Sequence, residues 1–309
     1  MLERDYKLQI DEEGKIADII YALNAQARRN IMTLLKSSSY SVVELSKLLK
    51  LPISTVSFHL NILRKAGLVS VVVKKNTRGN AKIVSRKVDH ILLDFISDEQ
   101  SIKGGHFAQE IPLGSYSDAR VESSCGMASE DSIIIADDLP GAFFSPERYK
   151  AQIIWFSKGY LEYKIPNYMI KGKNLNSITF SMELCSEAPN YRNDWESDIT
   201  FWINGVEVAT YVSPGDFGDR RGRLNPDWWS DYSTQYGIIK NLSVTEKGVY
   251  LDEGRVSNRN IQSLKVQEGD YILFRIGIKD DARHQGGINL FGEKFGDFSQ
   301  GIVFMADYD

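Results

Sequence analysis

The chain has 309 residues, 42% of them hydrophobic and 25% charged, with a formal net charge of −4. That length accommodates two domains with separate cores, and no apolar run approaches the ~20 residues a membrane-crossing helix needs, so a soluble protein is expected. Met1-Leu2-Glu3-Arg4-Asp5 lacks the apolar core of a secretory signal, and Cys125 and Cys185 lie far apart with no Cys-x-x-Cys pattern, which suits free thiols in a reducing cytoplasm while still permitting one disulfide.

The first clear element runs from Tyr40 to Lys50, where Val42, Leu45, Leu48 and Leu49 form the buried stripe of a short amphipathic helix. Leu51-Pro52-Ile53 follows. Pro52 has no backbone donor and biases Leu51 away from the helical region, which predicts a tight break. The run from Ser54 to Val69 then reads as a second amphipathic helix, begun by Ser54 as its cap and ended at Gly67. Val56, Leu60, Leu63 and Gly67 share its inward face. Ser57, Phe58, Asn61, Arg64 and Lys65 are left outside, and Ser54, Thr55 and His59 complete the polar set. Helix, turn, helix is the arrangement that places a second helix in the major groove, its short polar side chains near base edges and its basic ones near phosphates. Beyond Gly67, the β-branched run Leu68 to Val73 and the alternating run Ala81 to Ser85 flank Lys74, Lys75 and Arg78, which predicts a hairpin with a basic tip.

Charge separates a helix-turn-helix used for packing from one used on DNA. Between Arg28 and Lys87 there are 13 basic side chains, and Glu44 is the only acid. On a chain of net −4 this is a local positive patch, as expected where phosphates are neutralised, so double-stranded DNA is the expected partner.

The Ser-x-x-Ser-x-His-Leu and Leu-x-x-Ala-Gly-Leu-Val spacings between Ser54 and Val69 resemble the recognition helix of the ArsR-type winged-helix transcriptional regulators, and the following hairpin resembles their wing. The resemblance extends over the first third of the chain and includes Ala22-Leu23 and Arg28 to Leu35, similar to the family's helix before the motif. It implies a homodimer paired through the first and last helices of the domain, for which Ile16 to Asn24 and Val88 to Ser97 are the matching segments. The chain departs from the metal-sensing members, which carry a cysteine pair where it has Ser41, Val42 and Val43. Asp89 and His90 lack the further ligands of a tetrahedral site, so no metal is expected to act on the DNA-binding domain.

The sequence divides into a winged-helix domain over residues 1–99, a polar, glycine-containing linker over 100–106 and a second domain over 107–309. Past the linker the texture turns to β, with runs at Ile153 to Phe156, Tyr160 to Ile165, Ser177 to Leu184 and Tyr271 to Ile278. Asn204-Gly205 between two alternating runs predicts a type I′ hairpin. The whole is therefore expected to be an α+β multidomain protein, with a winged helix-turn-helix followed by an antiparallel β-sandwich of jelly-roll topology. After residue 100 there are 30 acids against 21 bases, so this half is not expected to hold DNA.

Around the hairpin, the loops gather Trp195, Asp216, Arg220, Arg221, Trp228 and Trp229. Aromatic faces that stack on C–H surfaces, with charged groups to take hydroxyls, are what carbohydrate recognition requires, whereas tryptophans capping the sandwich and arginines paired with acids would be structural. Phe201 to Val208 resembles the strand pair of galactose-binding-like jelly rolls. Gly286 to Phe298 is a further glycine-rich turn that either closes the same site or packs Phe291 and Phe295 into the core. An enzyme is the competing class, since Asp194, Glu196, Asp198, Asp216 and Asp231 offer carboxylates for glycoside hydrolysis. No nucleophile elbow, phosphate loop or His-x-x-x-His motif accompanies them, so neither catalysis nor a cofactor is expected. A protein-docking or oligomerisation role for the sandwich is the third alternative.

Overall fold

The computed structural model describes residues 5–9, 13–36, 38–76, 79–94, 105–135 and 138–309, and the chain divides into two compact units, residues 1–103 and 104–309. The first comprises β1 (Asp5–Gln9), α1 (Glu13–Leu23), α2 (Gln26–Leu34), β2 (Tyr40–Ser41), α3 (Val42–Leu49), α4 (Ile53–Lys65), β3 (Val69–Asn76), β4 (Gly79–Arg86) and β5 (His90–Asp94). Its core joins Ile16, Ile19 and Ala22 of α1 to Ile31, Leu45, Val56, Leu60, Leu63 and Val84. Burial of the stripe at Val56, Leu60 and Leu63 follows from the helical period and orients the rest of α4 outward.

Local chemistry sets the helix ends, and it corrects two expectations. α3 starts on a capping box: the Glu44 backbone N–H donates to Ser41 Oγ at 3.2 Å, and the Ser41 N–H to Glu44 Oε2 at 2.7 Å. α4 has Pro52 as its cap and no side-chain cap, so Ser54 is the second helical residue and not the cap. α4 ends as anticipated. Gly67 takes φ +73°, Leu68 N–H donates to Leu63 O at 2.9 Å and Gly67 N–H to Arg64 O at 3.0 Å, a Schellman closure. A Cβ at Gly67 would lie 1.9 Å from the Tyr6 hydroxyl. Leu48, expected in the buried stripe of α3, is 53% exposed, because Val42 and Leu45, with Leu49 partly buried beside them, make the face that meets the core.

The expected last helix, Val88 to Ser97, is absent over its described residues, 88–94, and residues 95–97 lie outside the described residues. Residues 90–94 form β5, paired in parallel with β1 from Asp5↔His90 to Gln9↔Asp94. Helical periodicity lost to a strand partner more than eighty residues away, which local pattern does not register. β3 and β4 form the expected hairpin, with β2 on the outer edge of β4.

The second unit contains β6 (Gly105–Ile111), β7 (Asp118–Ala128), β8 (Ile133–Ile135), β9 (Ile153–Pro166), β10 (Leu175–Cys185), β11 (Ser197–Ile203), β12 (Val206–Ser213), β13 (Ile238–Thr245), β14 (Val249–Leu251), β15 (Gly254–Ser257), β16 (Tyr271–Ile278), β17 (Ile288–Phe291) and β18 (Ile302–Tyr308). Gly105 and His106 already pair with Tyr308 and Asp307, so sheet structure begins inside the stretch read as linker. Among the described residues of this unit every strand pairing is antiparallel. One layer runs β12-β11-β16-β9-β7-β8 and the other β6-β18-β10-β13-β14-β15, while β17 pairs with both β9 and β10 and joins them. This is an antiparallel β-sandwich of the jelly-roll class. Phe180 of β10 stacks on Phe274 of β16 with centroids 4.1 Å apart and 6° between planes, and Phe201, Tyr163 and Phe304 extend the aromatic layer between the sheets. The Asn204-Gly205 turn takes φ values of +49° and +77°, as a type I′ turn requires, and holds β11 against β12.

Candidate nucleic-acid interface and sandwich cleft

On α4, Ser54, Phe58, Asn61, Arg64 and Lys65 are exposed, and Thr55, Ser57 and His59 are half-buried. Phe58, at 58% exposure, and Ile53 at the start of the helix are apolar projections among the exposed polar side chains of α4. Lys65 is drawn toward α1, its Nζ 3.0 Å from Asp18 Oδ1, in an exposed pair that contributes little and yields easily to a phosphate. His59 turns inward. Its Nδ1 is buried without a partner, and burial, then the nearby Arg28 charge, pull its pKa below the ordinary imidazole value, so it packs as a neutral ring edge-on to Phe58. Arg28, one of the basic side chains read as DNA-facing, is also buried. Its Nε donates to Ala22 O at 2.7 Å and its Nη2 to Tyr21 O at 2.5 Å, while Arg29 Nη1 donates to Leu23 O at 2.6 Å. These two arginines satisfy the last carbonyls of α1. Lys74 and Lys75 stand on β3 opposite Ala81 and Asn80, and Arg78 lies outside the described residues.

In the sandwich, the six residues expected to share one ligand site separate. Asp216 has 0% exposure, and its Oδ2 accepts from the Ala188 N–H at 2.9 Å and from Thr234 Oγ1 at 3.0 Å. Trp229 packs with Ala128, Ile153, Cys185, Phe291 and Phe295 and donates its indole N–H to Thr234 O at 2.8 Å. Trp228 lies edge-on to Trp229 and Phe295 and donates to Glu130 O at 2.7 Å. Arg220 makes a two-armed pair with Asp297 and covers the Tyr236 ring at 3.7 Å. Arg221 bonds Asp231 and the carbonyls of Trp229, at 3.0 Å, and Pro226, at 2.5 Å. Five of the six chosen residues, all those on the long loop, therefore brace that loop internally and against its neighbours, since a loop this long needs partners for its polar groups. Phe291 and Phe295 are buried, so that part of the late glycine-rich turn belongs to the core, while Gly286 at its start lines a cleft beside Trp195.

Trp195 is the exception. With Asp194, Glu196, Pro214, His284, Gln285 and Gly286 it lines a cleft of about 580 Å³. The Arg192 guanidinium lies 4.9 Å from the Trp195 ring centroid. His284 sits between two carboxylates: Nδ1 is 2.8 Å from Asp198 Oδ1 and Nε2 is 3.2 Å from Glu196 Oε2. Asp198 also accepts the backbone N–H groups of Arg283 and His284 at 3.0 and 3.2 Å. Burial raises its pKa, but these bonds, led by that from His284, outweigh it and hold the carboxyl below the ordinary value. Sequence reasoning named the three acids without choosing them for the site, and it missed His284, whose only local signal is its place two residues before the glycine pair Gly286-Gly287.

Cys125 and Cys185 are free and buried. Among the described residues, no cluster of three or more His, Cys, Asp or Glu side chains is arranged to hold a metal ion, and no helix is long and apolar enough to cross a membrane.

Residues 25–71, from the start of α2 through α4 into β3, match the model of the bacterial regulatory protein, arsR family. The first unit thus carries an ArsR-family helix-turn-helix, a DNA-binding module of transcription regulation. Among solved structures, a possible transcriptional regulatory protein (fragment 1-100) from Mycobacterium bovis is similar at 20% identity and a TM-score of 0.23, and HlyU from Vibrio cholerae at 28% identity and 0.22. Each alignment covers 25% of this chain and 80% of the other. A Paenibacillus cycloisomaltooligosaccharide glucanotransferase complexed with cycloisomaltoheptaose is similar over 65% of this chain and 19% of its own, at 8% identity and a TM-score of 0.26. No curated protein matches the chain.

Proposed function

We propose that this protein is a DNA-binding transcriptional regulator that works as a homodimer and whose β-sandwich senses a carbohydrate without turning it over. The observation that carries the DNA reading is the division of α4 into a buried stripe, Val56, Leu60 and Leu63, and an exposed face with Ser54, Phe58, Asn61 and Arg64. A helix anchored this way presents polar side chains at its N-terminal end and basic ones a turn or two later, which matches base edges followed by phosphates. The dimer reading is supported by an apolar groove of about 380 Å³ between α1, β1 and β5, lined by Leu8, Ile16, Ile20, Leu23, Ile91 and Leu93. Carbohydrate sensing is supported by the Trp195 cleft, which sets an aromatic ring beside carboxylates and an imidazole. Binding without turnover suits a cleft in which Glu196 and Asp198 both engage His284. Exposed Leu139, Phe144 and Tyr149 favour a second reading, in which the sandwich docks a protein.

The experiment is selection of a cognate duplex from random DNA, followed by salt titrations of variants. Asn61→Ala is expected to weaken the selected duplex at least ten-fold more than random DNA, because it removes base contacts. Arg64→Ala is expected to weaken both and flatten the salt slope by about one. Equal losses on both duplexes for Asn61→Ala would overturn base reading by α4.

A further inference from the structure

Two apolar side chains break the polar surface of α4, and the helical period separates them. Phe58 falls about 140–160° round the helix from Val56, Leu60 and Leu63, the three residues that α4 buries. It therefore stands on the crest of the helix, opposite the core, with 58% of its surface exposed. Ser54, Asn61 and Lys65, all exposed, lie within about 60° of it, so the ring is set in the middle of the face assigned to the groove. Ile53 is about 140° from Phe58, on the core side of the first turn. His59 meets the Phe58 ring edge-on, with centroids 5.6 Å apart, and props it outward.

A phenyl ring has no donor for a phosphate and no partner for a polar base edge, so neither explains its place on the crest. Among the groups that distinguish the base pairs in the major groove, the C5-methyl of thymine is the apolar one. The charge around the ring favours nucleic acid over a protein as its occupant, since between Arg28 and Lys87 there are 13 basic side chains and Glu44 is the only acid. We propose that Phe58 is a specificity-determining residue that selects a thymine beneath α4 by covering its C5-methyl, while Ser54 and Asn61 beside it meet the polar edges of neighbouring bases. This rests on the reading of α4 as a helix that enters the major groove, and it specifies one base of the site. Deoxyuridine keeps every hydrogen-bonding group of thymine and lacks only that methyl, so it isolates the contact. Burial of one such group is worth about four-fold in affinity.

The test uses the full chain and the duplex selected from random DNA. Each thymine is replaced singly by deoxyuridine, and affinity is measured by fluorescence anisotropy for the parent, Phe58→Ala and Phe58→Leu. At one thymine the replacement is expected to weaken the parent by about four-fold. Phe58→Ala is expected to bind thymine and deoxyuridine there within about 1.5-fold of each other, whereas Phe58→Leu, which keeps an apolar side chain, retains a preference of about two-fold. The ring is exposed, so both variants are expected to melt with the parent. A parent indifferent to every replacement would overturn the thymine assignment and leave base reading by Asn61 standing. A deoxyuridine penalty that persists undiminished in Phe58→Ala would overturn it equally, because another residue then covers the methyl. If selection returns no duplex preferred over random DNA, the reading of α4 as a base-reading helix fails and the assignment fails with it.

Discussion

Asp216 reads in the sequence as a hydroxyl acceptor on an exposed loop, and the structure makes it a buried support for that loop. Burial pushes its pKa up to about 7, against the opposing hydrogen bonds from the Ala188 N–H and the Thr234 hydroxyl. The unfolded chain holds the same proton with a pKa of about 4. Because the folded state binds the proton more tightly, the associated stability is complete below about pH 4 and is lost as the pH rises through about 7. Burial, and then the Asp216 charge, likewise push Glu187 up to about 8. Removing that charge acts in the same direction. Asp216→Asn keeps one side-chain oxygen to accept from Ala188 and Thr234, so the variant is expected to match the parent near pH 4 and to exceed it by about 2–4 kcal/mol at pH 8. Guanidinium denaturation of both proteins at the two pH values decides this. A deficit for the variant that grows with pH would contradict it.

At the level of elements, the capping role expected of Ser54 belongs instead to Ser41 of the preceding helix. Ser41 caps α3 through a box with Glu44, while Ser54 lies exposed in the first turn of α4 behind Pro52. Ser41→Ala is therefore expected to lower the stability of the first unit by about 1 kcal/mol. Ser54→Ala should stay within ~0.5 kcal/mol of the parent in thermal melts, yet weaken binding to the selected duplex. The reverse pattern of melting would restore Ser54 as the cap. The helix-turn-helix, the wing and the Asn204-Gly205 hairpin were legible because each is written in contiguous residues: a period of 3.6, a period of 2, or a turn that only Asn and Gly adopt readily. β5 was not, since its strand character depends on pairing with Asp5 to Gln9. The cleft was half legible for the same reason. Asp194, Trp195 and Glu196 adjoin in sequence, but His284 reaches them because residues 283 and 284, in the loop after β16, are bonded to Asp198. Composition alone cannot distinguish arginines that bind a ligand from arginines that brace a loop, as Arg220 and Arg221 do.

For the whole molecule, a basic first unit and an acidic sandwich would divide the two proposed binding tasks between separate units, and the proposed regulation requires a coupling between them. A ligand shifts DNA affinity only to the extent that it binds one state of the protein better than another. The usual coupling of ~1–3 kcal/mol corresponds to a change in DNA affinity of about one order of magnitude, and by reciprocity DNA changes sugar affinity by the same factor. A dimer makes this coupling readable, since two half-sites are engaged together. Ile20, 57% exposed on α1, and Ile91, 37% exposed on β5, belong to the apolar groove proposed as the contact between copies. Ile20→Glu combined with Ile91→Glu places two charges on each copy of that surface, so the variant is expected to sediment as a monomer and to lose at least ten-fold in affinity for a two-half-site duplex. Its affinity for a single half-site should stay within about two-fold of the parent, because α4 is untouched, and its response to sugar on the longer duplex should disappear. Sedimentation velocity and fluorescence anisotropy on both duplexes read all three outcomes. A parent that is already monomeric, or a variant that still dimerises and binds the longer duplex normally, would place the contact between copies elsewhere.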